Sequence, residues 1–306
     1  MRTTNLMTSR LVLTGIEDAS TRLAHTQRKL STGKEILRAS DDPLNAHRAL
    51  TLREETEGLK QYQKNVTDGE AWQNVSDIAF QRLNDYTAKA KELVIQGASD
   101  STSPAGREAI AQEIDQIIKA VKQEANATYA GRFIFGGTAT GTPPYSVDGV
   151  DPYAGNAETF ARQIGPGVSV QVNALVNTVL GNGAGVAPGQ NDNKLLHTLR
   201  DVATHLRSGT TADANLLRGT DLSRLDTNTD VLLGLRAEVG ARSNRFEVAN
   251  GRLAEIEENV TRLLSETEDA DMAKTMVDFS MQTAVYQSAL RSGANIVQAS
   301  LLDFLR

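Results

Sequence analysis

The clearest pattern in the sequence lies between residues 225 and 263, where apolar side chains recur at intervals of three and four residues. Only Asn228 and Arg242 place polar side chains on this stripe. A seven-residue repeat held over about five heptads is typical of long helices that pack along one another. This segment therefore predicts extended helix-on-helix packing.

Helical spacing also covers most of the remaining chain. It predicts helices over residues 3–31, 43–97, 104–125 and 193–208. The polar cluster Ser99–Ser103 separates the second from the third and predicts a tight turn, so these two helices are expected to form an antiparallel hairpin. A further break is predicted at Ser265–Thr267, followed by a terminal helix.

Each end of the chain carries one heptad stripe. Its apolar members are Leu6, Leu13, Ile16, Leu23 and Leu30 near the N terminus, and Met272, Met276, Phe279, Tyr286, Leu290, Val297, Leu301 and Phe304 near the C terminus. The C-terminal stripe belongs to a segment with only four charged residues, whereas a solvated surface helix carries charges over its outer face. We therefore predict that these residues form an assembly interface.

The charges of the two ends favour their pairing. Residues 1–31 hold five basic and two acidic side chains, and residues 265–306 hold three basic and six acidic ones, so their net charges are +3 and −3. One N-terminal helix covers only one flank of the C-terminal helix. We therefore predict that the ends become fully ordered only when neighbouring subunits cover the rest.

A bent connector is predicted between residues 31 and 42. Gly33 is a helix stop signal, Asp42 suits an N-cap, and Pro43 suits the first position of the next helix. The pair Asp41 and Asp42 also fits a catalytic carboxylate pair, but helix capping accounts for it better.

The composition changes at residues 131–190, which contain 12 of the 24 glycines and 5 of the 7 prolines. Short β-type runs occur at Phe133–Phe135, Thr159–Ile164 and Val168–Val172. They predict a small β-rich insert with glycine and proline turns.

The predicted fold is therefore mostly α. It is a long antiparallel helical bundle or coiled coil, with paired terminal helices and a small β-rich inserted domain. The predicted regions are a terminal domain (1–42 plus 265–306), a long-helix domain (43–130 plus 191–264) and the insert (131–190).

Composition narrows the possible chemistry. The 306 residues include no cysteine, which excludes disulfides, thiol catalysis and cysteine-bound metals. The net charge of −6 offers no basic footprint for nucleic acid. The first twenty residues lack the apolar core of a signal peptide, and no apolar run suits a membrane span.

No catalytic, cofactor or metal site is predicted. The histidines His25, His47, His197 and His205 have no partner at a metal-ligand spacing. Gly181–Gly185 lacks the spacing of a dinucleotide-binding loop and fits a plain turn. Asp148, Asp151 and Glu158 are too scattered to suggest a pair of catalytic carboxylates.

Several motifs resemble those of the flagellin superfamily. They are MRTTNLM at residues 1–7, LSTGKEILRASDDP at 30–43, GRFIFGG at 131–137, DADMA at 269–273 and LLDFLR at 301–306. Pro43 and the GRFIFGG run are closer to the hook–filament junction proteins of that superfamily than to flagellins, which typically have Ala-Ala after the two aspartates. The resemblance covers residues 1–137 and 192–306, and residues 138–190 carry no motif on which it rests.

This resemblance implies a structural role outside the cell. Such proteins leave the bacterium unfolded through the flagellar type III export channel, without a cleaved signal peptide. A chaperone escorts them by binding the C-terminal region. Copies then form a ring between the first hook-associated protein and flagellin. The terminal helices form an inner tube, and the family implies neither enzyme activity nor a cofactor.

Three alternatives stay open from the sequence. Flagellin itself would share the fold but serve as the bulk filament subunit. A soluble coiled-coil signalling protein would also contain long helices, although no ligand module is recognisable. A wall-degrading enzyme would need a carboxylate or metal constellation in residues 131–190.

Overall fold

A computed structural model of the chain describes residues 2–148, 151–181 and 192–304. Side chains are described for residues 7, 10–148, 151–181 and 192–294. The helices are α1 (Arg2–Thr32), α2 (Pro43–Gly97), α3 (Pro104–Ala125), α4 (Asn177–Leu180), α5 (Leu195–Ser208), α6 (Thr211–Leu216), α7 (Leu222–Glu268) and α8 (Met272–Phe304). A π-helical turn, Leu217–Asp221, joins α6 to α7.

The described strands form two antiparallel hairpins, β1 (Thr128–Tyr129) with β2 (Arg132–Phe133), and β3 (Ala161–Gly165) with β4 (Val168–Gln171). The first turn, Ala130–Gly131, has positive φ at both residues, which matches the right-handed twist of paired strands. The second turn, Pro166–Gly167, combines the fixed φ of proline with a positive φ at glycine.

The chain divides into two compact units. The terminal unit comprises Met1–Leu59 and Glu255–Arg306, and the central unit comprises Lys60–Ala254. In the terminal unit, α1 packs along α8.

In the central unit, α3 packs on α5, and the buried stripe of α3 has the three- and four-residue spacing seen in the sequence. Ring contacts extend this core toward the hairpins, because Trp72 on α2 lies edge-on to Tyr129 and Phe160. The polar turn Ser99–Ser103 ends with Ser103, whose hydroxyl accepts from Gly106 N at 3.1 Å and caps α3.

One buried ion cluster lies in the central unit. Asp151 is fully buried, pairs with the almost fully buried Lys122, and accepts from Arg200 Nη2 at 2.7 Å. Burial raises the pKa of Asp151, but hydrogen bonds and charges from Arg200 and Lys122 outweigh burial and hold that pKa below its ordinary value. Lys122 Nζ also donates to Ser146 O at 3.0 Å, so the cluster ties the insert to α3 and α5.

The structure confirms the predicted fold class, including the paired terminal helices and the small β-containing insert. The strands are shorter than the predicted runs. Helix α7 continues to Glu268, past the break predicted at Ser265–Thr267. Thr267 Oγ1 donates to Leu263 O, so the hydroxyl forms its hydrogen bond within the helix and does not interrupt it.

Candidate assembly surface

The seam between α1 and α8 is held close by a glycine. A Cβ placed on Gly293 would lie 2.9 Å from Ile16 Cδ1 and 3.3 Å from Val12 Cγ1. Ala19 on α1 is almost fully buried. Small residues at these positions therefore let the two helices approach closely along one side of α8.

The residues predicted for the assembly interface fall into three groups. Those that are half-buried in the terminal unit are Ile16, Leu23, Leu30, Phe279 and Tyr286. Those that are exposed are Leu13, Met272, Met276 and Leu290. The side chains of Leu6, Val297, Leu301 and Phe304 lie outside the described part of the structure.

Sequence reasoning missed further apolar side chains that the terminal unit exposes. On α1 and α8 these are Met7, Leu11, Val277, Met281 and Val285. Steps of four residues, from Val277 to Met281 to Val285, were a readable signal. This spacing was overlooked because the heptad stripe on the same helix is equally apolar and by itself predicts an apolar surface on the helix.

Helix geometry separates the exposed residues of α8 into two stripes. At 100° per residue, Met272, Met276 and Leu290 form one stripe beside the α1 seam, here called the flank stripe. Val277, Met281 and Val285 form another, which runs from the side opposite the seam to the other flank of the helix and is here called the outer stripe. Helix α8 therefore exposes apolar side chains on two sides besides the one that faces α1, which is more apolar surface than a solvated helix usually carries.

The connector between α1 and α2 is built from capping residues. Gly33 adopts φ +69°, which favours glycine, and its N–H donates to Lys29 O at 2.8 Å. Asp41 accepts from Arg38 N at 2.9 Å, which closes the turn before α2. Asp42 accepts from Asn45 N at 3.0 Å and Leu44 N at 3.1 Å.

These bonds place Asp42 at the N-cap of α2 and Pro43 at the first helical position. Hydrogen bonds from the backbone and side chain of Asn45, and from the backbone of Leu44, lower the pKa of Asp42. Both aspartates of the pair therefore accept bonds from backbone N–H groups, as a capping role requires.

Sequence reasoning did not find what holds the connector in place. Glu268, the last residue of α7, is buried and pairs with Lys34 and Arg53. Lys34 Nζ also lies 2.6 Å from Asp269 Oδ1. Two backbone bonds support this contact, from Glu35 N to Glu268 O at 2.7 Å and from Ala270 N to Gly33 O at 2.9 Å. We call these contacts the connector clamp.

The residues weighed for catalysis have structural partners. Glu158 accepts from Thr138 Oγ1 at 3.0 Å, Asp148 lies 3.5 Å from Lys119, and Asp151 lies in the buried ion cluster. His205 Nδ1 lies 2.7 Å from the buried Asp221, and His197 lies 3.4 Å from Asp201.

Within the described residues, no group of three or more metal-ligating side chains comes together. Among the described helices, none has both the length and the apolarity that a membrane crossing requires. Gly181 is buried, whereas the other glycines of the Gly181–Gly185 run lie outside the described residues.

Two family profiles match the chain. The one described as the bacterial flagellin N-terminal helical region matches residues 3–140, and the one described as the bacterial flagellin C-terminal helical region matches residues 222–305. Together they span well over half of the sequence. They contain α2, α3, α7 and α8, all of α1 except Arg2, and both terminal heptad stripes.

Individual proteins are similar over nearly the whole length. Flagellin from Bacillus subtilis is 26% identical over 91% of this chain and 91% of its own length. Flagellar hook-associated protein 3 from Escherichia coli is 23% identical over 99% of each chain. The solved structure of a flagellar hook-associated protein from Vibrio parahaemolyticus has a TM-score of 0.66 at 20% identity, covering 75% of this chain and all of that one. This last similarity shows a shared fold.

Proposed function

The chain belongs to the bacterial flagellin family, and we propose that within this family it is a structural adaptor that joins the flagellar hook to the flagellin filament. Its ends would assemble with neighbouring subunits through α1 and α8. The proposal involves no catalytic step and no cofactor.

The observation that carries this proposal is the distribution of apolar side chains around α8. Helix α1 covers one side of α8, while the flank stripe and the outer stripe both stay exposed. Val277 and Met276 are each at least 60% exposed. Exposed apolar stripes on different sides of one helix mark contact surfaces for more than one neighbour.

Copies of this chain are the first neighbours we propose, arranged as a ring. The second kind is an adjoining axial protein, with the first hook-associated protein on the hook side and flagellin on the filament side. A chaperone would bind the C-terminal region, around α8, before assembly. The bound chaperone would cover the exposed stripes and so prevent subunits from aggregating before export.

The three regions predicted from the sequence suit different parts of this adaptor. Residues 1–42 and 265–306 would form an inner tube, with the connector clamp fixing how the chain leaves it. Residues 43–130 and 191–264 would form a second shell, and residues 131–190 would project outward. The protein would reach the extracellular hook–filament junction through the flagellar export channel without a cleaved signal peptide.

Similarity to flagellin from Bacillus subtilis over 91% of both chains supports a second candidate, the filament subunit itself. The residue after Asp41 and Asp42 favours the junction role, because it is Pro43 here, whereas flagellins typically have Ala-Ala after the two aspartates. The two roles differ in growth. A filament subunit extends without limit on a seed, whereas an adaptor stops after forming a ring.

Labelling of isolated flagella tests the proposal. The adaptor role predicts one labelled band where hook meets filament, and loss of attached filaments in a strain that lacks the protein but still exports flagellin. Label along the whole filament would support the filament subunit, and normal filaments in the null strain would refute the adaptor.

A matched pair of variants tests the surface itself. Val277→Asp places a charge on the outer stripe and should prevent incorporation into flagella. Val168→Asp places the same charge on an exposed valine of the insert hairpin and should leave incorporation intact. Equal incorporation of both variants would exclude the outer stripe as an assembly surface.

A further inference from the structure

All five methionines of this chain lie in its terminal segments, at positions 1, 7, 272, 276 and 281. The four whose side chains are described are exposed, by 72%, 48%, 60% and 54% in chain order from Met7. Methionine is usually among the most buried residue types. Four thioethers on the surface of one unit are therefore open to oxidants in the surrounding solution.

The methionines of α8 lie away from the seam between α1 and α8. Met272 and Met276 belong to the flank stripe and Met281 belongs to the outer stripe, whereas Gly293 faces Ile16 and Val12 on α1. Oxidation at the three methionines of α8 would change the surfaces offered to neighbours and leave the α1–α8 contact in place.

We propose that Met7, Met272, Met276 and Met281 are oxidation sites that control assembly, an inference that rests on the proposed function. Their sulfoxides block incorporation of the subunit. The oxidant class is a hydroperoxide. An oxygen atom passes from the peroxide to the thioether sulfur, an S–O bond forms and the O–O bond breaks. The sulfur is oxidised by two electrons, and the remainder of the hydrogen peroxide molecule is released as water.

The physical effect follows from what the neighbours must cover. A thioether is flexible and apolar, so it fits an apolar interface. Its sulfoxide is polar, and burying it without a hydrogen-bond donor is unfavourable. Each buried sulfoxide is expected to weaken the contact by about ten-fold. A methionine sulfoxide reductase with a dithiol reductant would reverse the change.

The test uses the full-length monomer, treated with hydrogen peroxide and checked by peptide mass spectrometry for sulfoxide at the four positions. Incorporation onto flagella from a strain lacking the protein is then measured. The matched variant carries Met7→Leu, Met272→Leu, Met276→Leu and Met281→Leu, because leucine has a similar volume and no sulfur.

Treated wild type should lose incorporation at least about ten-fold, reductase should restore it, and the variant should be insensitive to peroxide. The methionine proposal is wrong if sulfoxide-bearing wild type incorporates as well as untreated protein. It is also wrong if peroxide treatment lowers incorporation of the variant as much as that of wild type. Failure of untreated wild type to incorporate would instead refute the adaptor function and this proposal with it.

Discussion

Lys34 and Asp269 form an ion pair across 235 positions of sequence, with Nζ 2.6 Å from Oδ1. The backbones of the same two residues form an isolated antiparallel bridge. Hydrogen bonds from Lys34 and Ser265 lower the pKa of Asp269, and the bonds to Asp269 and Glu268 raise that of Lys34. The chain leaving α1 is therefore joined to the turn between α7 and α8.

Glu268 is the buried member of this clamp, so its removal should have the largest effect. Glu268→Ala leaves Lys34 and Arg53 without their shared carboxylate and should destabilise the terminal unit by about 1–3 kcal/mol. Hydrogen exchange at the amides of Glu35 and Ala270, whose N–H groups bond across the clamp, measures the change.

Glu266→Ala is the control for this experiment, because Glu266 is exposed on the same turn of α7. It should change exchange at those two amides little. Equal acceleration by both variants would show that general loss of negative charge, and not the clamp, sets the local stability.

Gly69 makes possible the close approach of α2 and α7 in the central unit. A Cβ there would lie 2.6 Å from Cε1 and Cζ of the fully buried Phe246 ring. Gly69→Ala should therefore lower the free energy of unfolding by about 1–3 kcal/mol, as overpacking does.

The matched control is Gly251→Ala on α7, where nothing lies within 4 Å of the added methyl group. It should raise helix stability by up to about 1 kcal/mol. Chemical denaturation of both variants gives the comparison. A stabilised Gly69→Ala variant would mean that the Phe246 ring moves aside at little cost.

Local periodicity was enough to predict most of this fold. The apolar repeat of residues 225–263 lies within α7, and the stop and start signals Gly33 and Pro43 bound the connector. Such signals act over one or two helical turns, so a single sequence contains them. The pairing of α1 with α8 needed one further argument, the opposite net charge of the two ends.

What the sequence did not reveal depends on distant contacts. Nothing near Glu268 indicates that it is buried against Lys34, because that partner lies more than two hundred residues away. The cluster of Asp151 with Lys122 and Arg200 joins three separate elements in the same way. The outer stripe was missed for a different reason, since a helix with more than one apolar stripe does not show which stripe its first partner covers.

The buried ion cluster predicts a strong and pH-dependent effect in the central unit. Asp151→Asn leaves the buried Lys122 and the partly exposed Arg200 without their carboxylate and should lower the free energy of unfolding by about 3–5 kcal/mol. Because the folded-state pKa of Asp151 is lowered, its contribution is present above its ordinary pKa near 3.8 and is lost as pH falls through the folded value.

Urea denaturation across a pH series should therefore show wild-type stability falling below about pH 4, with a shallower fall for Asp151→Asn. Asp148→Asn is the control, because Asp148 is an exposed carboxylate 3.5 Å from Lys119. Its effect should stay within about 0.5 kcal/mol. Parallel pH curves for wild type and Asp151→Asn would rule out this carboxylate as the source of the acid response.

The exposed stripes of the terminal helices lead to the last prediction, on hydrogen exchange before and after assembly. In dilute monomer the backbone amides of α1 and α8 should exchange at least about ten-fold faster than those of α3 and α5, because the described parts of these helices pack along each other and leave apolar side chains exposed on their other sides. Assembly should slow that exchange as neighbours cover the stripes. Gly293→Val should speed it further in the monomer, since a larger side chain would push Ile16 away from the seam. Strong protection of α1 and α8 in dilute wild-type monomer would show that the pair is stable alone, and would contradict partner-dependent ordering.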